Sequence, residues 1–172
     1  MKKIIILLGT AREGRKSEKV AAFVLSIAKK RSDVEPELVD VRDYPQFTTE
    51  GLSKELKEKC DNMVKGAHGM VIISPEYNHG YPGELKMFLD NSYKAYEGKP
   101  VAICGVSSGP IGGARMAEQL KLVLSAFQIN IINAAVYFAN VNDLFDKSGG
   151  IVNGEYWEKL VDGMLDELIK YA

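Results

Sequence analysis

Five short apolar runs, separated by stretches of helical periodicity, constrain this chain more than any other feature. The runs are KIIILL at 3–8, PELVDV at 36–41, GMVIIS at 69–74, PVAICGV at 100–106 and INIINAAVYF at 129–138. PELVDV is the weakest; the others are nearly continuous in apolar residues, as expected of strands covered on both faces. Between and after the runs, apolar residues recur every three or four positions. Val20, Val24, Ile27 and Ala28 form one set, Leu56, Cys60, Met63 and Val64 a second, and Leu85, Phe88 and Leu89 a third. Ala117, Leu120, Leu124 and Phe127 form the fourth; Trp157, Leu160, Val161, Met164, Leu165 and Leu168 form the last. Each set marks one face of a helix.

Strands that alternate with helices must run parallel, because each helix is the crossover that returns the chain to the same edge, and such crossovers are right-handed. The expectation is an α/β fold, a doubly wound five-stranded parallel sheet with helices on both faces. Five strands fit the flavodoxin-like order 2-1-3-4-5 better than a six-stranded dinucleotide fold. The 172 residues suit one domain spanning 1–172. The stretch DKSGGIVNG at 146–154 reads as a flexible connection to the last helix.

Charge narrows the partners. With 22 basic residues against 23 acidic ones and no run of like charge, neither nucleic acid nor an anionic membrane is favoured. The opening MKKIIILLGT imitates a secretory signal, but its apolar run is too short and Arg12 follows closely. Cys60 and Cys104 both fall in apolar patterns and read as small buried hydrophobes, so a cytoplasmic setting is expected.

Ligands of an open parallel sheet bind beyond the carboxyl ends of the strands. The loops expected there after strands 1, 3 and 4 are GTAREGRKS at 9–17, SPEYNHGYPG at 74–83 and SSGPIGGAR at 107–115. The first approaches a triphosphate loop, but Arg15 after Gly14 displaces Lys16 and Ser17 by one place. Strand 3 ends in Ser74 and Pro75, without the carboxylate that Mg²⁺ would need. A monophosphate suits the loop instead: a helix N-terminus supplies N–H groups, Thr10 and Ser17 hydroxyls, and Arg12 a charged fork. The competing reading is a polar loop with a solvated Arg12 and an ordinary helix cap at Ser17.

The second loop, rich in Pro, Gly and Tyr, makes a rigid surface on which a flat ring can lie, with Tyr81 or His79 near one face. It reads equally as a strand stop at Pro75 and a helix start at Pro82, with His79 in solvent. In the third loop, Gly109, Gly112 and Gly113 permit a close ligand approach or merely a turn. No metal site is expected.

Together these loops resemble the NADPH-dependent FMN reductases, which include quinone and azo-dye reductases. The resemblance rests on GTAREGRKS, on PEYNHGYPGELK at 75–86, on GPIGG at 109–113 and on YEGKP at 96–100. It implies that Thr10, Arg12 and Ser17 hold the FMN phosphate. It implies further that Pro75, Glu76, Tyr77 and Asn78 line the isoalloxazine, with Ser107, Gly109 and Gly113 on the other side. The chemistry would then be carried by FMN, with no catalytic side chain: NADPH or NADH gives two electrons by a ping-pong mechanism to a quinone, azo compound, free flavin or metal ion. A homodimer or dimer of dimers is also implied, in line with Tyr81, Met87, Phe88, Tyr93 and Tyr96 around the third helix. There the chain departs from the family pattern, with Met87 in place of Asn and Asn91 in place of Trp. The alternatives are a flavodoxin-like electron carrier without NAD(P)H oxidase activity and a flavin-free binding or sensory domain.

Overall fold

The computed structural model describes residues 1–45 and 51–172. Five strands, β1 (Lys2–Leu8), β2 (Val34–Asp40), β3 (Gly69–Pro75), β4 (Pro100–Val106) and β5 (Asn130–Phe138), form one parallel sheet in the order β2-β1-β3-β4-β5. The helices are α1 (Ser17–Lys30), α2 (Lys54–Gly66), α3 (Gly83–Leu89), α4 (Ala114–Ala126) and α5 (Gly154–Tyr171). The expected doubly wound flavodoxin-like topology is what the chain adopts.

The two-residue period of a strand divides the core. Ile5 and Leu7 of β1, Met70 and Ile72 of β3, and Val101 and Ile103 of β4 face one way and pack on α2, α3 and α4. Their neighbours Ile4, Ile6, Leu8, Val71, Ile73, Ala102 and Cys104 face the other way and pack on α1 and α5. Every residue of β3 and β4 is buried, which explains why those runs are continuous in apolar residues. At about 1.5–3 kcal/mol for each fully buried large aliphatic side chain, these central strands are the firmest support for the loops at their carboxyl ends.

Three details differ from expectation. Strand β2 starts at Val34, two residues before the predicted run, and tolerates Pro36 because it lies at the sheet edge. Residues 146–154 are an organised turn: the Asp146 carboxylate accepts from the N–H groups of Ser148 and Gly150 at 2.8 and 2.9 Å, and Phe145 bridges Ile151. Of the aromatic and apolar residues grouped around α3, Phe88 and Tyr96 are core residues, whereas Tyr93 is exposed and its hydroxyl donates to the Ala126 carbonyl. Among the described residues no helix is long and apolar enough to cross a membrane. Both cysteines are free and buried.

Candidate functional site

The chain leaves β1 at Leu8 and reaches α1 at Ser17 by a loop held from beneath. Thr10 is fully buried; its Oγ1 accepts the Arg12 N–H at 3.3 Å and lies 3.1 Å from the Tyr77 hydroxyl. Arg15, with a side chain only 2% exposed, pairs with Asp40 through both terminal guanidinium nitrogens and also donates to the Thr10 carbonyl. Asp40 ends β2 and additionally accepts the Arg42 N–H at 2.9 Å. Burial alone would raise its carboxyl, but the hydrogen bonds from Arg15 and Arg42 and their charges outweigh it and hold the group below the usual carboxylate range. Arg15 is shifted up, chiefly by its hydrogen bond to Asp40. Arg42 closes the outer side by donating to the carbonyls of Ala11 and Arg12, at 3.1 and 2.6 Å.

Arg12 itself is exposed, its guanidinium carbon 5.5 Å from the centre of the Tyr77 ring. Ser17 is not the helix cap that one reading of the sequence allowed. It is the first residue of α1, Lys16 occupies the cap position, and the Ser17 hydroxyl is buried with no hydrogen-bond partner.

Beyond β3, Tyr77 and Gly80 exchange two backbone hydrogen bonds of 2.9 Å around Asn78 and His79, whose φ angles are 48° and 70°. Positive φ at both central positions defines a tight two-residue turn, a conformation that Asn and His both adopt more readily than most side chains. Glu76 points away from that turn. Its carboxylate, 7% exposed, accepts from Arg115 Nε at 3.1 Å and from the Met116 N–H at 3.3 Å. Helix α4 has no acidic residue in its own first turn, so Glu76 complements the positive end of the helix from another loop.

Beyond β4, the Ser107 hydroxyl donates to the Gly109 carbonyl at 3.0 Å, and the Gly109 carbonyl also accepts the Asn140 N–H. Gly112 and Gly113 follow, with φ of 61° and 89°. A Cβ on Gly113 would come within 2.9 Å of the Val106 nitrogen, and one on Gly105 within 2.4 Å of the Gly112 carbonyl oxygen. These glycines let the start of α4 lie directly on β4.

The three loops meet around a cleft of about 360 Å³, within the range usual for a small-molecule site. Loop one contributes Arg12 to Ser17, loop two Pro75, Glu76 and Tyr77, and loop three Ser107 and Ser108. Val141 and Asn142, after β5, complete the wall. Of the residues singled out from the sequence, Arg12, Ser17, Pro75, Glu76, Tyr77 and Ser107 line this cleft. Thr10 lies beneath it, Asn78 forms the turn tip, and Gly109 and Gly113 serve the local chain path. Sequence reasoning missed Arg15, Lys16, Ser108, Val141 and Asn142; Arg15 had registered only as a spacing defect. Among the described residues no cluster suited to a metal ion occurs.

The donor set fits the phosphate of FMN. A buried hydroxyl without a partner costs on the order of 1–3 kcal/mol unless something accepts from it. At Ser17 that group adjoins the N–H groups of a helix start, with Arg12 and Lys16 within the same wall. An anion satisfies all of these at once.

Comparison with known proteins gives the family. The profile of the NADPH-dependent FMN reductase family matches residues 2–143. An NAD(P)H-dependent FMN reductase of Schizosaccharomyces pombe is 32% identical over 139 residues, covering 75% of this chain and 68% of that protein. A 2-hydroxy-1,4-benzoquinone reductase of a Burkholderia species is 30% identical, covering 99% and 94%. Among solved structures, a flavoenzyme NAD(P)H:(acceptor) oxidoreductase of Paracoccus denitrificans shares the fold with a TM-score of 0.83, at 21% identity over 99% of each chain. This chain belongs to the NADPH-dependent FMN reductase family, flavoprotein oxidoreductases that use FMN and NAD(P)H.

Proposed function

We propose that this chain, acting as one domain over 1–172, passes two electrons from NAD(P)H through bound FMN to a small acceptor by a ping-pong mechanism. The observation that carries the binding mode is the buried, unpartnered Ser17 hydroxyl at the start of α1. Ser17 and the first N–H groups of α1 hold the phosphate, Arg12 closes over it from solvent, and Thr10 fixes the loop from below. Pro75, Glu76, Tyr77 and Asn78 carry the ring on one side, with Ser107, Gly109 and Gly113 shaping the other.

When bound, FMN supplies the redox chemistry, accepting a hydride equivalent from NAD(P)H and returning two electrons to the acceptor. The protein positions and polarises. In the turn after β3 the N–H groups of Tyr77 and Gly80 bond to each other's carbonyls, so Asn78 and His79 offer the donors. Such fixed N–H dipoles favour negative charge accumulating nearby. Donor and acceptor use the same open side of the cleft in turn, and initial-rate lines should be parallel.

A quinone is the first acceptor to try, because the Burkholderia relative that matches over 99% of this chain is a benzoquinone reductase. Azo compounds, free flavin and metal ions follow. A homodimer or dimer of dimers fits the exposed Tyr93 and Leu122 between α3 and α4, and light scattering reads the assembly directly. A cytoplasmic location fits the two free cysteines.

The test is the visible spectrum of the purified protein after incubation with FMN and desalting, then after anaerobic addition of NADPH. Flavin bands that stay and then bleach support the reductase. Bands that stay unbleached favour an electron carrier, and loss of all colour favours a flavin-free domain.

A further inference from the structure

Arg15 is the most deeply buried cation of the cleft; its two terminal nitrogens are engaged within the protein, while its Nε is buried with no hydrogen-bond partner. Both of its terminal nitrogens engage Asp40, and one also donates to the carbonyl of Thr10. The pair ties the first loop to the sheet: Asp40 is the last residue of β2, and Arg15 lies two residues before α1. Asp40 is fixed in turn by the Arg42 N–H, and the Arg42 side chain grips the carbonyls of Ala11 and Arg12. The loop is therefore clamped at three successive carbonyls, Thr10, Ala11 and Arg12, by two arginines anchored at the end of β2.

Each of those carbonyls points to an arginine rather than into the cleft. That orientation matters for an anion, because a carbonyl oxygen turned inward would repel it and a flexible loop would have to be ordered as the anion binds. The clamp also occupies Asp40. In dinucleotide folds an acidic residue near the end of the second strand takes a ribose hydroxyl; here the carboxylate is already taken by a bidentate guanidinium.

We propose that Arg15 is a positioning residue whose ion pair with Asp40 sets the first loop in its anion-accepting shape before ligand arrives, and so gives the site its preference for phosphorylated over unphosphorylated flavin. This rests on the flavin reading above. Arg15 acts through Thr10 and the start of α1, and Ser17 and Arg12 make the contacts.

The test is titration of the full-length protein with FMN and with riboflavin, followed by flavin fluorescence, in the wild type, Arg15→Met, Arg15→Lys and Asp40→Asn. In Arg15→Met the preference for FMN over riboflavin should fall about tenfold while riboflavin affinity moves by less than about twofold, the loss being the cost of ordering the loop on binding. Arg15→Lys keeps the charge without the two-pronged geometry and should recover only part of the preference. Asp40→Asn, which keeps an acceptor oxygen, should fall between; it carries the test by itself if Arg15→Met does not fold. A variant that melts at lower temperature but keeps the wild-type preference overturns the proposal and leaves Arg15 a structural brace. A wild type that binds both flavins equally overturns the flavin-phosphate reading itself, and this inference with it.

Discussion

The hydroxyls of Thr10 and Tyr77 lie 3.1 Å apart, so the loop after β1 and the loop after β3 are joined by a side-chain hydrogen bond beside the cleft. Tyr77→Phe removes that bond and little else, since Thr10 keeps the Arg12 N–H. A loss of about 1 kcal/mol is expected, equivalent to a fall in melting temperature of about 2–4 °C for a domain of this size. Calorimetry without flavin measures it. An unchanged midpoint would show that the bond adds nothing to stability.

Arg12 is exposed and free to turn toward an anion. A charge-assisted contact of this kind is worth about 1.5–3 kcal/mol, so Arg12→Ala should weaken FMN binding by about 10- to 100-fold. Because an exposed charge is screened by salt, the difference between wild type and variant should shrink as ionic strength rises. Equal FMN affinity in the two proteins would remove Arg12 from the phosphate site.

Glu76 sits in the motif expected to line the ring, yet its carboxylate is committed to Arg115 and the Met116 N–H at the start of α4. Glu76→Ala should cost about 1–3 kcal/mol by leaving a buried donor unsatisfied. Glu76→Gln keeps an acceptor and should cost less. Faster hydrogen exchange at the Met116 amide in the alanine variant would locate the effect; no difference between the two variants in urea denaturation would sink the explanation.

The strands were legible in the sequence as short apolar runs and the helices by their three-to-four period, whereas the sheet order came from the strand count and the place of the cleft from the rule that ligands bind beyond the carboxyl ends of parallel strands. The pairings that shape the cleft have no period. Arg15 meets Asp40 across 25 positions, and Glu76 meets Arg115 across 39. In the sequence Arg15 looked only like an interruption of a triphosphate loop, although that same insertion is what places a guanidinium under Thr10. Gly113 illustrates the converse. Its glycine signal was genuine, but the backbone approach it serves is to β4, with the Val106 nitrogen 2.9 Å from where a Cβ would be. Sequence alone does not distinguish a glycine that admits a ligand from one that admits another strand.

That close packing gives a direct test at Gly105. An added methyl would lie 2.4 Å from the Gly112 carbonyl oxygen and 2.9 Å from the Tyr137 ring, with backbone rather than a flexible side chain in the way. Gly105→Ala should destabilise the protein by about 1–3 kcal/mol or more through overpacking. It should also displace the Gly112–Gly113 segment that leads into α4. A variant with wild-type stability in urea would mean that this segment yields easily.

The Asp40 pair makes a pH prediction whose sign is fixed. Its folded carboxyl lies below the ordinary value because the Arg15 and Arg42 bonds outweigh burial, whereas the unfolded group titrates near 3.9. The unfolded chain thus binds the proton more readily, so this pair stabilises the fold at neutral pH and the contribution is lost as pH falls through the unfolded value and then the folded one. Asp40→Asn removes the titration. The stability gap between wild type and Asp40→Asn should be constant from about pH 7 to pH 5 and narrow below about pH 4. Urea denaturation at a series of pH values measures it, and a gap that widens toward acid would contradict the assignment of a depressed carboxyl to Asp40.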